Sequence, residues 1–284
     1  SITTTMGLRV ASAFCMRREK EEGKGDDEGR LLPALELRER PLQFATAGDS
    51  PLLLPTGNSG ETSNVKSFVF RGRVQITLDE IGHSDGGIGG SSTFDSAVGL
   101  SAWLNHHREV VHGKSVLEVG AGTGLVGLLC CLAGAERVVL SDVNSSEVFG
   151  AGAGPKLFLN LARNVQRLSD STQRPLTVSC IPLDWNDALK AAEEPAKIST
   201  TAETPVLPAQ GFDVVVGSDL HYSAASVKPL CATIAKYLKP GGEFISLSPH
   251  GRCGQEDLLH ALRRFGTVHT TDFRMEQCEI QGRQ

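Results

Sequence analysis

The chain has 284 residues, 40% of them hydrophobic, which suits one domain with appendages or two small domains. A formal net charge of −5 argues against a protein that coats nucleic acid, and no run of 18 apolar residues exists to span a membrane. The seven cysteines are odd in number and include no C-x-x-C pair, so they suggest a reduced, intracellular chain with neither a disulfide framework nor a metal site. The expected compartment is the cytoplasm, with the nucleus as the alternative.

Residues 1–64 read as a disordered or weakly ordered arm. The first 18 hold Arg9, Arg17 and Arg18, several Ser and Thr, and no acid. That composition faintly resembles an organelle transit peptide, although a disordered tail is the preferred account. A mixed-charge run from Arg17 to Arg30 follows, and Pro, Gly, Ser and Thr then dominate up to Asn64. The pattern allows a short amphipathic helix over Leu31 to Leu42.

Order is expected over 65–284. Ser67 to Gly82 alternates around Arg71 and Gly72, as a short N-terminal β-hairpin would. The glycine-rich loop Gly86 to Gly90 leads to a helix that Ser92 or Thr93 can cap, with Val98, Leu100, Trp103 and Leu104 at helical spacing. Lys114 to Ala135 then organises the rest: a buried strand over Ser115 to Val119, a turn of Gly120, Gly122 and Gly124, and a helix from about Leu125. Glycines in such a turn permit positive φ and let a ligand lie against the backbone. Gly120-Ala-Gly122-Thr-Gly124 fits the turn that receives S-adenosylmethionine. Gly122 to Gly127 also satisfies the dinucleotide G-x-G-x-x-G, and a purely structural turn remains a third reading.

Strands are expected at Arg137 to Leu140, Leu176 to Leu183, Phe212 to Gly217, Glu243 to Leu247 and Thr267 to Phe273, with a short last one at Gln277 to Ile280. Helices are expected at Lys156 to Leu168, at Val227 to Leu238 before Lys239-Pro-Gly-Gly, and at Gln255 to Phe265, with a helix remnant and a loose surface loop over Ala188 to Gln210. This alternation implies an α/β fold: a Rossmann-like, mostly parallel sheet with helices on both faces.

Ligands of such sheets bind beyond the carboxyl ends of the strands, and the polar residues gather there. Asp142 ends the second core strand and can accept hydrogen bonds from ribose hydroxyls. Asp184 can accept from an adenine amino group, with Trp185 either stacking on the base or closing the core edge. Glu118 can anchor the glycine turn or a methionine amino group, and Asn160 and Asn164, four apart on one helical face, can tie loops. The fourth strand ends in Ser218-Asp219-Leu-His-Tyr222, where His221 reads as a bland turn residue.

The segments GKSVLEVGAGTGLVGL, SDVN, LDWND, FDVVVGSDLHY and KPGG resemble the seven-β-strand class of S-adenosylmethionine-dependent methyltransferases. Within it they are similar to the protein-lysine methyltransferases marked by D-x-x-Y after the fourth strand, the group that includes the calmodulin-lysine enzyme. The resemblance runs from about Val65 to the C-terminus. It implies direct transfer of a methyl from S-adenosylmethionine to a lysine amine of a protein substrate, by a chain expected to act as a monomer. Asp219 is then the candidate to orient the amine, with Tyr222 as a pocket wall. Glu118, Gly120, Gly122, Gly124, Asp142, Asp184, Trp185 and Ser218 become the candidate cofactor residues. The family's usual Trp before the preceding helix is replaced by Phe94, which keeps a stacking surface and loses the indole donor.

Two rival readings remain. Nucleic-acid amino-methyltransferases carry D/N-P-P-Y at the same sheet position, but Leu220 and His221 replace the rigidifying prolines here. A non-catalytic module that binds S-adenosylmethionine would share the same fold.

Overall fold

The computed structural model describes residues 9–18, 52–54, 65–72, 74–81, 92–143, 153–172, 176–193, 207–208, 210–221, 223–249 and 251–275. Strands Arg9–Arg18 (β1), Leu52–Leu54 (β2), Val65–Phe70 (β3) and Val74–Asp79 (β4) precede helix Asp95–His106 (α1). Strands and helices then alternate: Ser115–Val119 (β5), Leu125–Leu132 (α2), Arg137–Asp142 (β6), Ala153–Thr172 (α3), Val178–Pro182 (β7) and Trp185–Glu193 (α4). The series ends with Phe212–Ser218 (β8), Ala224–Tyr237 (α5), Leu238–Pro249 (β9), Gln255–Leu262 (α6) and Gly266–Met275 (β10).

A strand covered on both faces has to be apolar at successive positions, and all five residues of β5 are buried. Side-chain alternation divides the core in two. Val116, Val138, Leu140, Val214 and Val216 join α1, α2 and α3 on one face. Leu117, Val139 and Val215 join α5 and α6 on the other. Among the described residues the main sheet has seven strands in the order β10-β1-β9-β8-β5-β6-β7. The steps from β7 through β6, β5 and β8 to β9 are parallel, while β1 is antiparallel to both of its neighbours. The expected Rossmann-like sheet with helices on both faces is therefore observed.

One strand of it comes from an unexpected place. The sequence predicts a weakly ordered arm over 1–64, whereas Arg9–Arg18 inserts as β1 between β9 and β10. Met16 is buried to 1% exposure among the side chains of the α5 and α6 face. The Arg18 guanidinium donates to the carbonyls of Ala235 (2.7 Å) and Leu238, satisfying acceptors at the C-terminal end of α5. The partners of β1 lie more than 200 residues downstream, so no local pattern reveals the pairing. Leu52–Leu54 likewise leaves the arm to pair with β3. The expected features at Leu31 to Leu42, Gly86 to Gly90 and Gln277 to Ile280 lie outside the described residues.

The predicted hairpin is present as β3 and β4, with Phe68, Phe70, Ile76 and Leu78 buried against the α1 and α2 face. Its end is fastened by α3. The Asp79 N–H donates to Asn164 Oδ1 (2.7 Å), and the Asp79 carbonyl accepts from Asn160 Nδ2 (2.8 Å) and Asn164 Nδ2 (3.0 Å).

Three local expectations are corrected. Helix α1 starts after Phe94, which takes the N-cap position expected for Ser92 or Thr93, and Thr93 is engaged with Glu80 and Thr123. The Lys239-Pro-Gly-Gly segment belongs to β9 and takes up a register shift opposite Phe212 and Val214. Helix α4 runs from Trp185 to Glu193, so the helix remnant expected from Ala188 is present and starts three residues earlier.

Beneath the glycine turn, Glu118 is buried, and its Oε2 accepts the Gly127 N–H at 2.9 Å, joining β5 to α2. A Cβ on Gly127 would lie 2.0 Å from Leu140 Cδ2 and 2.6 Å from Glu118 Oε2, so only glycine lets the helix come this close. Burial pushes the Glu118 carboxyl up to about 8; the Gly127 N–H opposes that rise, and the charge of Asp142 adds to it.

Two measurements follow from this packing. Met16→Ala is expected to destabilise the protein by about 2–5 kcal/mol in urea denaturation, as for other buried large-to-small changes. An unchanged midpoint would show that β1 does not contribute to the folded sheet. Between the ordinary carboxyl value of 4.5 and about 8, folded Glu118 keeps a proton that the unfolded chain releases, so its contribution to stability falls as pH rises through that window. Glu118→Gln keeps an acceptor for Gly127 and removes the titration. The variant is expected to lose less stability than the wild type between about pH 5 and about pH 8.

Candidate active site

The carboxyl ends of β5, β6, β7 and β8 surround one cavity of about 550 Å³, with the start of α1 on its rim. Its glycine corner is set by backbone conformation. Gly120 has φ +63°, and a Cβ there would meet Leu220 Cδ2 at 2.9 Å and Trp185 Cζ2 at 3.3 Å. The turn is held from the neighbouring strand, because Asp142 Oδ2 accepts the Gly122 N–H at 2.7 Å. The other oxygen, Oδ1, accepts the Val143 N–H, also at 2.7 Å. Enclosure by the protein raises the Asp142 pKa, and those two N–H groups oppose the rise. Its carboxylate still borders the cavity.

Asp184 closes the next side. Its Oδ1 accepts from the Asn186 N–H (2.8 Å) and from Asn186 Nδ2 (2.9 Å), which caps the start of α4 and fixes Trp185 at the cavity wall. Ser218, Asp219 and Leu220 supply the wall beyond β8. Phe94 lines the rim and is 44% exposed. Behind it, Thr93 is tied by its N–H to Glu80 Oε1 (2.7 Å) and by its hydroxyl to the Thr123 hydroxyl (2.9 Å).

Asp219 is the only non-glycine residue with positive φ (+53°) among the described residues, a conformation rare enough to mark a site under constraint. Its N–H donates to the Leu247 carbonyl at 2.9 Å, which fixes the strained turn to β9. Its carboxylate is gripped by Arg252: Nε lies 2.7 Å from Oδ1 and Nη2 lies 2.6 Å from Oδ2. His221 is buried beside this pair, and desolvation lowers its pKa.

Eight candidates named from the sequence thus border one cavity: Phe94, Gly120, Gly122, Asp142, Asp184, Trp185, Ser218 and Asp219. Glu118 and Gly124 do not. Glu118 points toward α2, and a Cβ on Gly124 would meet Leu161 Cδ1 at 2.6 Å, which makes it a packing position beneath the turn. Tyr222 lies outside the described residues. Arg252 was not among the candidates, although a basic residue in the short link after β9 is a readable signal once that strand end is known to face the cavity. The described residues contain no cluster of acidic, His and Cys side chains able to hold a metal ion.

The residues present suit S-adenosylmethionine. The volume lies in the usual range for small-molecule sites, the glycine corner leaves backbone exposed to a ligand, and Asp142 presents an acceptor for hydroxyl groups beside it.

The profile of the family described as "Lysine methyltransferase" matches residues 74–264. The chain is 29% identical over 157 residues to a protein N-terminal and lysine N-methyltransferase of Yarrowia lipolytica, covering 54% of this chain and 54% of that protein. It is 31% identical over 187 residues to a protein-lysine N-methyltransferase of Chaetomium thermophilum, covering 64% of this chain and 49% of that one. A protein N-lysine methyltransferase of Danio rerio is 28% identical over 155 residues, covering 55% of this chain and 58% of that protein. The chain spans about half the length of these relatives. With the family match extending from β4 to the link after α6, across the strands that build the cavity, this chain belongs to the lysine methyltransferase family.

Proposed function

We propose that this chain transfers a methyl group from S-adenosylmethionine to a lysine side-chain amine of a protein. The observation that carries the reading is the presence of Asp219, on strained backbone, in the same cavity as the glycine corner and Asp142. Donor and acceptor groups thereby share one space.

In this reading Gly120 and Gly122 let the cofactor lie against the chain, and Asp142 accepts its ribose hydroxyls. Asp184 and Trp185 receive the adenine, while Phe94 and Ser218 border the same space. Bound there, S-adenosylmethionine supplies a methyl carbon made electrophilic by a positively charged sulfur. Asp219 receives an N–H of the incoming amine and aims its lone pair at that carbon, with Tyr222 as a neighbouring wall. Positioning of this kind carries much of the acceleration in a direct transfer. The buried surroundings of Leu220 and His221 also disfavour a charged ammonium.

The names of the relatives support an amine acceptor on a protein, either a lysine or a chain terminus. Net charge of −5 and the Leu220-His221 pair in place of two prolines weigh against a flipped base as acceptor. We place the enzyme in the cytoplasm and treat it as a monomer; no described helix is long and apolar enough to cross a membrane.

Tritiated S-adenosylmethionine incubated with a cell extract is expected to label a protein band that protease destroys and nuclease spares. Its acid hydrolysate should contain methyl-lysine. Cofactor binding without any labelled product would turn the reading to a non-catalytic module. Two variants separate the roles. Asp142→Ala is expected to weaken S-adenosylmethionine binding by about 1.5–3 kcal/mol, as for lost charged hydrogen bonds, and calorimetry measures it directly. Asp219→Asn is expected to leave that affinity nearly unchanged and to slow methyl transfer by two orders of magnitude, about 3 kcal/mol of barrier. Full activity in Asp219→Asn would remove Asp219 from the reaction.

A further inference from the structure

A carboxylate is an awkward partner for the acceptor in this chemistry. The amine reacts through its lone pair, so it has to be neutral, yet a nearby lone carboxylate stabilises the ammonium form and raises the amine's pKa. A solvated lysine already titrates at about 10.4. If Asp219 acted alone, it would hold the acceptor in its unreactive state.

Asp219 is not alone. Arg252 takes both of its oxygens in a bidentate grip, at 2.7 and 2.6 Å, and both residues line the cavity. The Asp219 side chain is 7% exposed and that of Arg252 is 39% exposed, so the guanidinium lies on the solvent side of the carboxylate. The Arg252 backbone is fixed as well, because its carbonyl accepts the Gln255 N–H at 3.2 Å where α6 starts. Of the other ionisable groups nearby, His221 is buried beside the pair and desolvation disfavours its charged form. Among the described residues, Asp142 and Asp184 are the remaining ionisable side chains on the cavity wall, and both are bound to backbone N–H groups at the ends of β6 and β7.

Resting on the proposed lysine methylation, we infer that Arg252 is a positioning residue that keeps the acceptor amine neutral. As a permanent cation on Asp219, it cancels the carboxylate's pull on a proton. Each carboxylate oxygen retains a lone pair that can receive an N–H from the neutral amine. The guanidinium also repels an ammonium and never deprotonates in the working range. The amine lone pair then forms the new N–C bond while the bond from the methyl carbon to sulfur breaks, with its electron pair going to sulfur. Positive charge passes from sulfur to nitrogen, and the methylated amine releases a proton to solvent.

The test is the pH profile of kcat at saturating acceptor, which reports ionisations in the bound complex, using poly-L-lysine and the strongest protein band labelled in an extract as acceptors. In Arg252→Gln, the rise of kcat with pH is expected to move up by about one unit or more, the usual effect of a neighbouring charge. The variant should be about tenfold slower than wild type near neutral pH and should recover as the pH is raised. Arg252→Lys, which restores the charge without the bidentate grip, should move the profile part of the way back. Arg252→Gln leaves the nearly buried Asp219 carboxylate without its cation, so its melting temperature is expected to fall; S-adenosylmethionine affinity is expected to match wild type, and the shifted profile, measured well below that melting temperature, separates this role from a structural one. An unshifted profile in Arg252→Gln overturns the inference while leaving the methyltransferase reading intact. Faster turnover near neutral pH also overturns it, by showing that Arg252 blocks the acceptor. If the wild type labels no lysine of either acceptor, the proposed activity fails and takes this role with it.

Discussion

One short hydrogen bond, from the Gly122 N–H to the Asp142 carboxylate, joins the two strand ends on which the cavity rests. Around it the Ala121 N–H donates to the Ser141 carbonyl (2.9 Å), and the Ser141 hydroxyl donates to the Glu118 carbonyl (2.7 Å). The glycine corner therefore does not float at the end of β5; it is pinned across to β6. A turn rich in positive φ has little intrinsic preference for one shape, and these contacts select one. Because a carboxylate in this setting is partly desolvated, it is a stronger electrostatic partner than the same group in water.

The hairpin of β3 and β4 acts as a brace for the rim. Asn164 spans two parts of the molecule, donating to the carbonyls of Asp79 and Thr123, both at 3.0 Å. Glu80 follows directly: its side chain is nearly buried, pairs with Lys66 at 2.7 Å and receives the Thr93 N–H beside Phe94. The more exposed Arg167–Asp79 pair adds less, since water competes for both partners. Neutral amides and one buried acid, rather than surface ion pairs, thus carry the geometry from the hairpin to the cavity.

Much of this is legible in the amino-acid sequence. β5 showed itself because strands covered on both faces cannot alternate, and Asp142, Asp184 and Asp219 showed themselves as acids at successive strand ends. The direction of Glu118 was not legible as a single answer. Its position in β5 allows either a turn anchor or a ligand contact, and only the close approach of Gly127 sends the carboxylate toward α2. Arg252 escaped notice because the sequence gives no sign that the link after β9 folds back onto the end of β8. The role of β1 escaped for a different reason. RVASAFCMRR carries only a short apolar run, Ala13 to Met16, closed off by Arg17 and Arg18, and its hydrogen bonds go to segments that no local window contains.

The place of β1 has a consequence for synthesis. It leaves the ribosome more than 200 residues before its two neighbours: Ala11 faces Pro249, and Arg9 faces Met275. The central strands can pair as they appear, but the antiparallel end of the sheet has to wait. Until β1 has paired with it, β9 presents an edge that a nascent chain could pair wrongly, and once β1 is seated its own outer edge stays open until β10 has been translated. A chaperone acting on this protein would therefore be needed most in the interval between the emergence of β9 and the return of β1 to its slot.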